Sequence, residues 1–477
     1  MKSYFAASVV SQIAALLRFI VLSRVVGPSE LGLVTLLILT SQFFELVTDA
    51  ASDRFIIQDP DGDAPRLQQV VQSAMFARGL VIAAGLVLSA RMVAGLVDAP
   101  EIAPALMAMA LTPLIGGLVH MDVYRAQRAN EFRPASILIA SSEVAGLVGT
   151  AVAALLLRDH TAIIYGLVLR AATLVGVSHL LAKRRYAWGF SRAEAHRFIA
   201  FAVPLFFNGL LLFLGTQGDR ILVSGLGKEV LGRYSASQLL IFYPAAILLR
   251  FMVNTHLPGL AGRRDEPAAF FQATEKLAGR TALLCIGMAL GFAVVGPFAA
   301  PLLFGKAFQQ LPIVFALLAT LQTIRTVRLW PSTVALALGR STLAAADNAA
   351  RLIALPVAFA VNQAHPGLIS ILAGFVVGEI TALVATMLLV NRASGMPNRS
   401  GVIRVMLYVT VCALIIGVSW AAEQGRVLWT GLTALGATAP LAALLYKERL
   451  ILSEAVEAAS RLVARGGRAN TGGKSPS

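Results

Sequence analysis

The sequence predicts an all-α polytopic membrane protein of about 14 transmembrane helices, built as two pseudo-symmetric six-helix lobes with two additional C-terminal helices. Three observations carry this. Of 477 residues, 57% are hydrophobic and only 14% charged, against about 25% charged in a soluble domain. Apolar runs of about 20 residues recur to the end of the chain, each long enough to cross a bilayer core as a helix. Backbone groups in lipid need internal partners, and runs of this length satisfy them as helices, with nothing to suggest a barrel. The third observation is a repeat. The turn Gly27-Pro28-Ser29-Glu30-Leu31-Gly32 returns as Gly227-Lys228-Glu229-Val230-Leu231-Gly232. Leu22, Gly27, Leu31 and Gly32 reappear as Leu222, Gly227, Leu231 and Gly232, and both copies join the first and second spans of a half.

In chain order, the first six spans fall near 4–25, 31–52, 72–96, 102–124, 135–157 and 161–182, forming an N-lobe over residues 1–182. A basic cytoplasmic linker occupies 183–197. The next six spans, near 198–223, 231–256, 278–304, 311–335, 342–363 and 367–390, form a C-lobe over 198–390. Two more, near 402–421 and 427–446, lie in 391–447, and a cytoplasmic tail of amphipathic then disordered character fills 448–477.

The net charge of +15 would suggest nucleic acid in a soluble protein. Here the basic residues crowd alternate loops, as in Arg125/Arg128/Arg133 and Lys183/Arg184/Arg185, while the opposite loops hold about one each: Arg158, Lys228, Lys306 and Arg426. Positive charge marks the cytoplasmic side, so both termini are expected inside, and no nucleic-acid partner is expected. The acidic loop Asp59-Pro60-Asp61-Gly62-Asp63 is an exception on the basic side. The first span runs on through Arg18 to Arg24 without a convincing cleavage site, which reads as a retained helix. Cys285 and Cys412 lie in separate apolar spans, and no spacing of His or Cys suits a metal.

A charge at mid-membrane costs about 2.5–3.5 kcal/mol on insertion scales, so each asks for a partner, a wet cavity or a task. In or near spans stand Arg18, Arg24, Arg54, Arg78, Arg91, Arg170, Arg220, Arg250, Arg325, Arg328 and Arg351, with the acids Glu45, Asp49, Asp53, Asp122, Glu143, Asp219, Asp347 and Glu379. The arginine excess suits an anionic substrate, phosphate above all, because a guanidinium donates two parallel hydrogen bonds and keeps its charge. This logic selects Arg54, Arg220, Arg250, Arg325 and Arg328 as substrate-binding candidates. Arg325 and Arg328, three apart on one face, are not self-compensating and read as a cavity lining. Arg24, Arg54, Arg78 and Arg91 sit near span ends, where snorkelling is an equal reading. Asp347 and Arg351, four apart, read as a local pair, and Asp219-Arg220 as structural. Glu45, Asp49 and Asp53 form a stripe at spacing four. They are either an ion-coupling site or counter-ions to Arg18 and Arg24, and the lone acids Glu143 and Glu379 are further coupling candidates.

Arg18-x5-Arg24-x2-Gly27-Pro28-x2-Leu31-Gly32 resembles the first-hairpin motif of the polysaccharide (Wzx-type) flippases. Asp219-Arg220-Ile221-Leu222 followed by Leu231-Gly232-Arg233-Tyr234-Ser235 resembles their seventh-to-eighth-span motif, and Asp53-Arg54-Phe55-Ile56-Ile57-Gln58 the end of their second span. These flippases belong to the multidrug/oligosaccharidyl-lipid/polysaccharide transporter superfamily. The resemblance implies alternating access. It also implies transfer of an undecaprenyl-diphosphate-linked oligosaccharide repeat unit from the cytoplasmic to the periplasmic leaflet of a bacterial inner membrane. It implies that Arg18 and Arg24 lie at the lipid-diphosphate site, that no cofactor takes part, and that a lipid-linked anionic oligosaccharide, membrane lipids, a polysaccharide polymerase and a chain-length regulator are the partners. A small-solute or multidrug antiporter and a peptidoglycan-precursor flippase share this layout. A membrane polymerase or ligase would need a large outside loop or a clustered catalytic group, which the sequence lacks.

Overall fold

The computed structural model describes residues 2–49, 51–339, 341–394 and 399–425, together with Ala442 and Tyr446. The span expected near 427–446 and the amphipathic tail therefore lie outside the described residues. The described chain divides into two compact units. The first takes in residues 1–247, 295–310 and 348–378, and the second 248–294, 311–347 and 379 onward.

In the first unit, α1 (Lys2–Val47) contains the first two expected spans as two helical arms that meet at Gly27. Gly27 stands at φ 79°, a conformation open to glycine, and Pro28 then opens the second arm with a φ preset for helix. A short helix follows, α2 (Ser52–Gln58), and then α3 (Pro65–Leu96), which starts earlier than its apolar run because Pro65 sits in its first turn. The fourth expected span is broken into α4 (Ile102–Met109), α5 (Leu111–Gly116) and α6 (Asp122–Arg128). Pro113 has no N–H for the carbonyl of Met109, which marks the break between α4 and α5, while Pro104 sits harmlessly in the first turn of α4. Next come α7 (Arg133–Leu157) and α8 (Ala162–Leu181), pressed together through small residues. A Cβ on Gly166 would run into Thr150, and one on Gly149 would crowd Leu169 and Gly166. α9 (Arg192–Ser224) and α10 (Lys228–Ala261) follow, joined by a turn in which Gly227 again has positive φ.

α11 (Pro267–Phe304) runs into a single 3₁₀ turn at Lys306–Phe308. The second unit is built around α12 (Pro312–Val327), of which 13 of 16 residues are buried. That makes it a core helix rather than a lipid-facing one. α13 (Leu329–Ala337) continues it after a break at Arg328. α14 (Ser341–Arg351) and α15 (Ala354–Ala364) divide the eleventh expected span, with Pro356 in the first turn of the latter. α16 (Leu368–Ser394) and α17 (Arg399–Glu423) complete the described helices. In the second unit α17 packs on α12, where Tyr408 bonds Thr323 and Glu423 accepts from the backbone of Ile313 at 2.8 Å.

The protein is thus an all-α polytopic membrane protein. Nine of its described helical segments are long and apolar enough to cross a bilayer. The difference from 14 has physical causes. The first two spans form one kinked stretch, the fourth and eleventh are broken, the eighth forms α10 but is not among the nine, and the last lies outside the described residues.

Candidate functional site

Two arginines of the first unit meet on a single carboxylate. Arg18, from the first arm of α1, donates to Glu143 Oε2 at 2.6 Å, and Arg170, from α8, donates through Nε to Glu143 Oε1 at 2.7 Å. Arg18 is only 6% exposed and its own Nε is buried with no hydrogen-bond partner. The half-buried Tyr243 of α10 lies within electrostatic reach of Arg18, Glu143 and Arg220. Arg220 bonds the side-chain amide oxygen of Gln217 at 2.7 Å, and its Nε too is buried without a partner. Asp219, its sequence neighbour, accepts instead from Tyr234 at 2.8 Å and Gln238 at 3.4 Å. Two guanidiniums thus share one carboxylate, and the buried Nε groups of Arg18 and Arg220 are two unfilled donors. Such donors each cost desolvation unless an anion meets them.

Gly146 makes this approach possible. It lies three residues after Glu143 on α7, and a Cβ there would press on Arg170 Cβ and on a terminal nitrogen of Arg18. Neither Gly146 nor Tyr243 stood out in the sequence, and Arg170 stood out only as an unmatched charge within a span. The one signal for Gly146 was a small residue less than one turn from a lone mid-span acid.

In the second unit the balance is different. Arg325 donates through Nε to Glu379 at 2.9 Å, and Arg328 donates to the other oxygen of Glu379 at 2.7 Å and to Asp347. Asp347 also accepts from Ser332 at 3.0 Å and Thr386 at 2.5 Å. Two arginines meet two carboxylates, and Glu379 is 1% exposed. The like-charged pair read as a cavity lining is therefore matched by acids from α14 and α16. The sequence did not show these partners because they lie 19 to 54 residues away.

The remaining candidates are dispersed. Arg24 is exposed and bonds the carbonyl oxygens of Leu302 and, at 2.7 Å, Leu303. It thereby satisfies acceptors at the end of α11. Arg78 does the same at the end of the second arm of α1, bonding the carbonyls of Glu45 at 2.7 Å and Thr48 at 2.8 Å. Arg54 is exposed on α2. Arg250 lies on α10, but its side chain is outside the described residues. Glu45 and Asp49 are exposed and Asp53 is half-buried. Glu45 accepts from Ser41 at 3.0 Å and Asp49 from the backbone of Ala51 at 3.0 Å, so neither uses Arg18 or Arg24 as counter-ion.

The two ends of the first unit are held by ion pairs. At one end the acidic loop that broke the charge pattern is a clamp. Arg197 bonds Asp59 at 2.5 Å and Asp61 at 2.9 Å, while Arg184 and Arg125 reach Asp63 at 3.2 and 3.3 Å. At the other end Lys228 bonds Glu101 at 2.5 Å, and His160 Nδ1 shares Glu30 at 2.8 Å. The Lys228 ammonium holds the Glu101 carboxyl below its ordinary range.

The architecture is that of a multi-pass helical membrane protein. An inward-facing multidrug resistance MATE family transporter of the MOP superfamily superposes with a TM-score of 0.63 at 12% identity, over 81% of this chain and 94% of that one. "Lipid II flippase MurJ, inward closed conformation" superposes with a TM-score of 0.68 at 13% identity, over 95% of this chain and 100% of that one. The Vibrio cholerae MATE transporter VcmN in its bent form gives a TM-score of 0.54 at 18% identity, over 84% and 98%. These likenesses establish the fold. In sequence, the polysaccharide biosynthesis protein family model matches residues 21–313. The chain belongs to that family. No curated protein matches it in sequence.

Proposed function

We propose that this protein is a flippase for undecaprenyl-diphosphate-linked oligosaccharide repeat units. It carries them from the cytoplasmic to the periplasmic leaflet of a bacterial inner membrane by alternating access, for export of a polysaccharide. The observation that supports this most is the meeting of Arg18 and Arg170 on the single carboxylate of Glu143, with the Nε groups of Arg18 and Arg220 buried and unpartnered. A diphosphate brings the charge and acceptor oxygens that such a group lacks, and guanidinium forks match it in shape. The arginines hold the diphosphate while the sugars cross and the lipid tail stays in the bilayer. Arg325 and Arg328, matched by Glu379 and Asp347, brace the second unit in this reading. Arg24 steadies the end of α11. The basic loops favour cytoplasmic termini in this reading, and the polymerase and chain-length regulator of the same export route are its partners.

Glu143 serves in this reading as the counter-ion that occupies Arg18 and Arg170 until the diphosphate takes them. A peptidoglycan-precursor flippase is the second reading, since that substrate presents the same diphosphate and the MurJ fold covers nearly the whole chain. The test is lipid extraction from a deletion strain, with diphosphate-linked repeat units located by leaflet. Completed units stranded on the cytoplasmic side support the proposal. Units that reach the periplasm without lengthening reject it. Loss of wall growth with normal repeat-unit traffic moves the assignment to the peptidoglycan precursor.

A further inference from the structure

We infer that the groove between α4 and the first half of α8 is a binding site for a phospholipid with a zwitterionic, primary-ammonium headgroup. The groove has a volume of about 610 Å³, within the range of about 300–1,000 Å³ typical of small-molecule sites. It exists because small residues face one another. Pro104, Ala105 and Ala108 line it from α4, and Ile164, Val168 and Ala172 from α8. No side chain from the middle of either helix is charged, and the partly exposed Tyr165 and Leu169 border it.

Its length selects the kind of chain. Thr161 to Ala172 spans eleven residues, which is about 17 Å of helix. That is close to one leaflet of hydrocarbon, about 15 Å. A single acyl chain entering at the α8 start ends near the bilayer centre. A polyprenyl tail is longer than one leaflet and does not fit within it.

The charged end selects the head. Glu101 and His160 line the groove at the start of α8, and each is tied to a group of opposite character on another turn. Glu101 takes Lys228 at 2.5 Å, and Glu30 takes His160 Nδ1 at 2.8 Å. A carboxylate only accepts, so Nδ1 carries the proton and Nε2 is left for a further partner. Two acceptors thus line this end of the groove, the Glu101 carboxylate and His160 Nε2, with the Lys228 ammonium behind Glu101, an arrangement that complements a headgroup carrying an ammonium beside a phosphate. A primary ammonium donates hydrogen bonds to Glu101 and to the free Nε2 of His160, both of which line the groove, and a quaternary one does not. The ends of α3, α7 and α10 and the turn within α1 all reach this point, so the bound head would bridge four connections of the first unit.

The test uses the full-length protein in phosphatidylcholine nanodiscs doped with phosphatidylethanolamine that carries a photoactivatable group on its acyl chain. After irradiation, labelled peptides are mapped by mass spectrometry. Labelling is expected on α4 and the first half of α8. It should be displaced by unlabelled phosphatidylethanolamine and poorly by excess phosphatidylcholine or phosphatidylglycerol. Ala108→Phe, which fills the groove, should cut labelling there by about tenfold. Glu101→Gln should weaken the headgroup preference by about two- to fivefold, as expected for a partly exposed charge contact. Labelling spread evenly over all lipid-facing helices, or equal displacement by the three lipids, overturns the inference. The wild-type map decides it even if Ala108→Phe does not fold.

Discussion

Gly32 and Gly232 make one contact twice, each from its own copy of the repeated turn. A Cβ on Gly32 would run into the carbonyl of Lys228, and a Cβ on Gly232 into the carbonyl of Pro28. Position 28 corresponds to 228 and position 32 to 232, so the second arm of α1 and the start of α10 cross as reciprocal partners, in the manner of a two-fold interface. The repeat in the sequence is thus a repeat in packing. Small residues at the crossing let two backbones touch, which is how helices associate closely in lipid. Alanine at either position should destabilise the protein by about 1–3 kcal/mol, the usual cost of overpacking. Thermal unfolding of Gly32→Ala and Gly232→Ala in detergent measures this, and unchanged transitions in both would show that the crossing is looser than described.

Removing the shared carboxylate should expose the charge imbalance of the first unit. Glu143→Gln leaves Arg18 and Arg170 without their counter-ion, and breaking a buried pair costs about 3–5 kcal/mol. Added pyrophosphate should recover part of that loss, because it supplies the missing acceptors. Thermal unfolding with and without pyrophosphate reads both effects. A variant as stable as the wild type would mean that the pair contributes little.

The network of the second unit should behave as structure. Arg328→Met removes one of the two arginines on Glu379 and the arginine on Asp347, and should cost about 3–5 kcal/mol. Combining it with Glu379→Met should cost less than the sum of the two single changes, because the Arg328–Glu379 bond that each change breaks is then lost only once. A double-mutant cycle by chemical unfolding measures the coupling, and strict additivity would contradict the geometry.

The ion pair between Glu101 and Lys228 should respond to acid. Its carboxyl titrates below the ordinary value when folded. Its contribution is therefore complete above that ordinary value, about 4.3, and is lost as pH falls through the folded one. Glu101→Gln should remove this acid response and leave stability near neutrality changed only slightly, since the pair is largely exposed. Unfolding followed from pH 7 to pH 3 compares the two proteins.

How much of this was legible in the sequence can be argued from single residues. Apolar runs and the Gly27-Pro28 turn are local signals, and they gave the all-α membrane class and the kink in α1 but not the breaks in the fourth and eleventh spans. The internal charges were visible one by one, but their partners were not. Glu143 lies 125 residues from Arg18, and Asp347 lies 19 from Arg328. Pairing at such separations depends on tertiary packing, to which helix periodicity is blind. So Arg325 and Arg328 looked unmatched when they are matched. Arg170 looked unmatched too, and it proved to belong with Arg18. Arg24 illustrates the reverse case, since its partners are backbone carbonyls, which carry no sequence signature. The acidic loop at Asp59 to Asp63 looked like an exception to the charge pattern. It is the anchor for basic residues of three other segments.

The central claim is that Arg18, Arg170 and Arg220 form the diphosphate site. It is tested most directly by titrating undecaprenyl diphosphate, without sugars, into the purified protein and following bound lipid by native mass spectrometry. The account predicts binding by the wild type and a loss of about tenfold or more in Arg18→Gln, Arg170→Gln and Arg220→Gln, since hydrogen bonds to charged groups contribute about 1.5–3 kcal/mol each. Arg325→Gln should retain the lipid. Equal binding by wild type and all three first-unit variants, or a loss confined to Arg325→Gln, would contradict it.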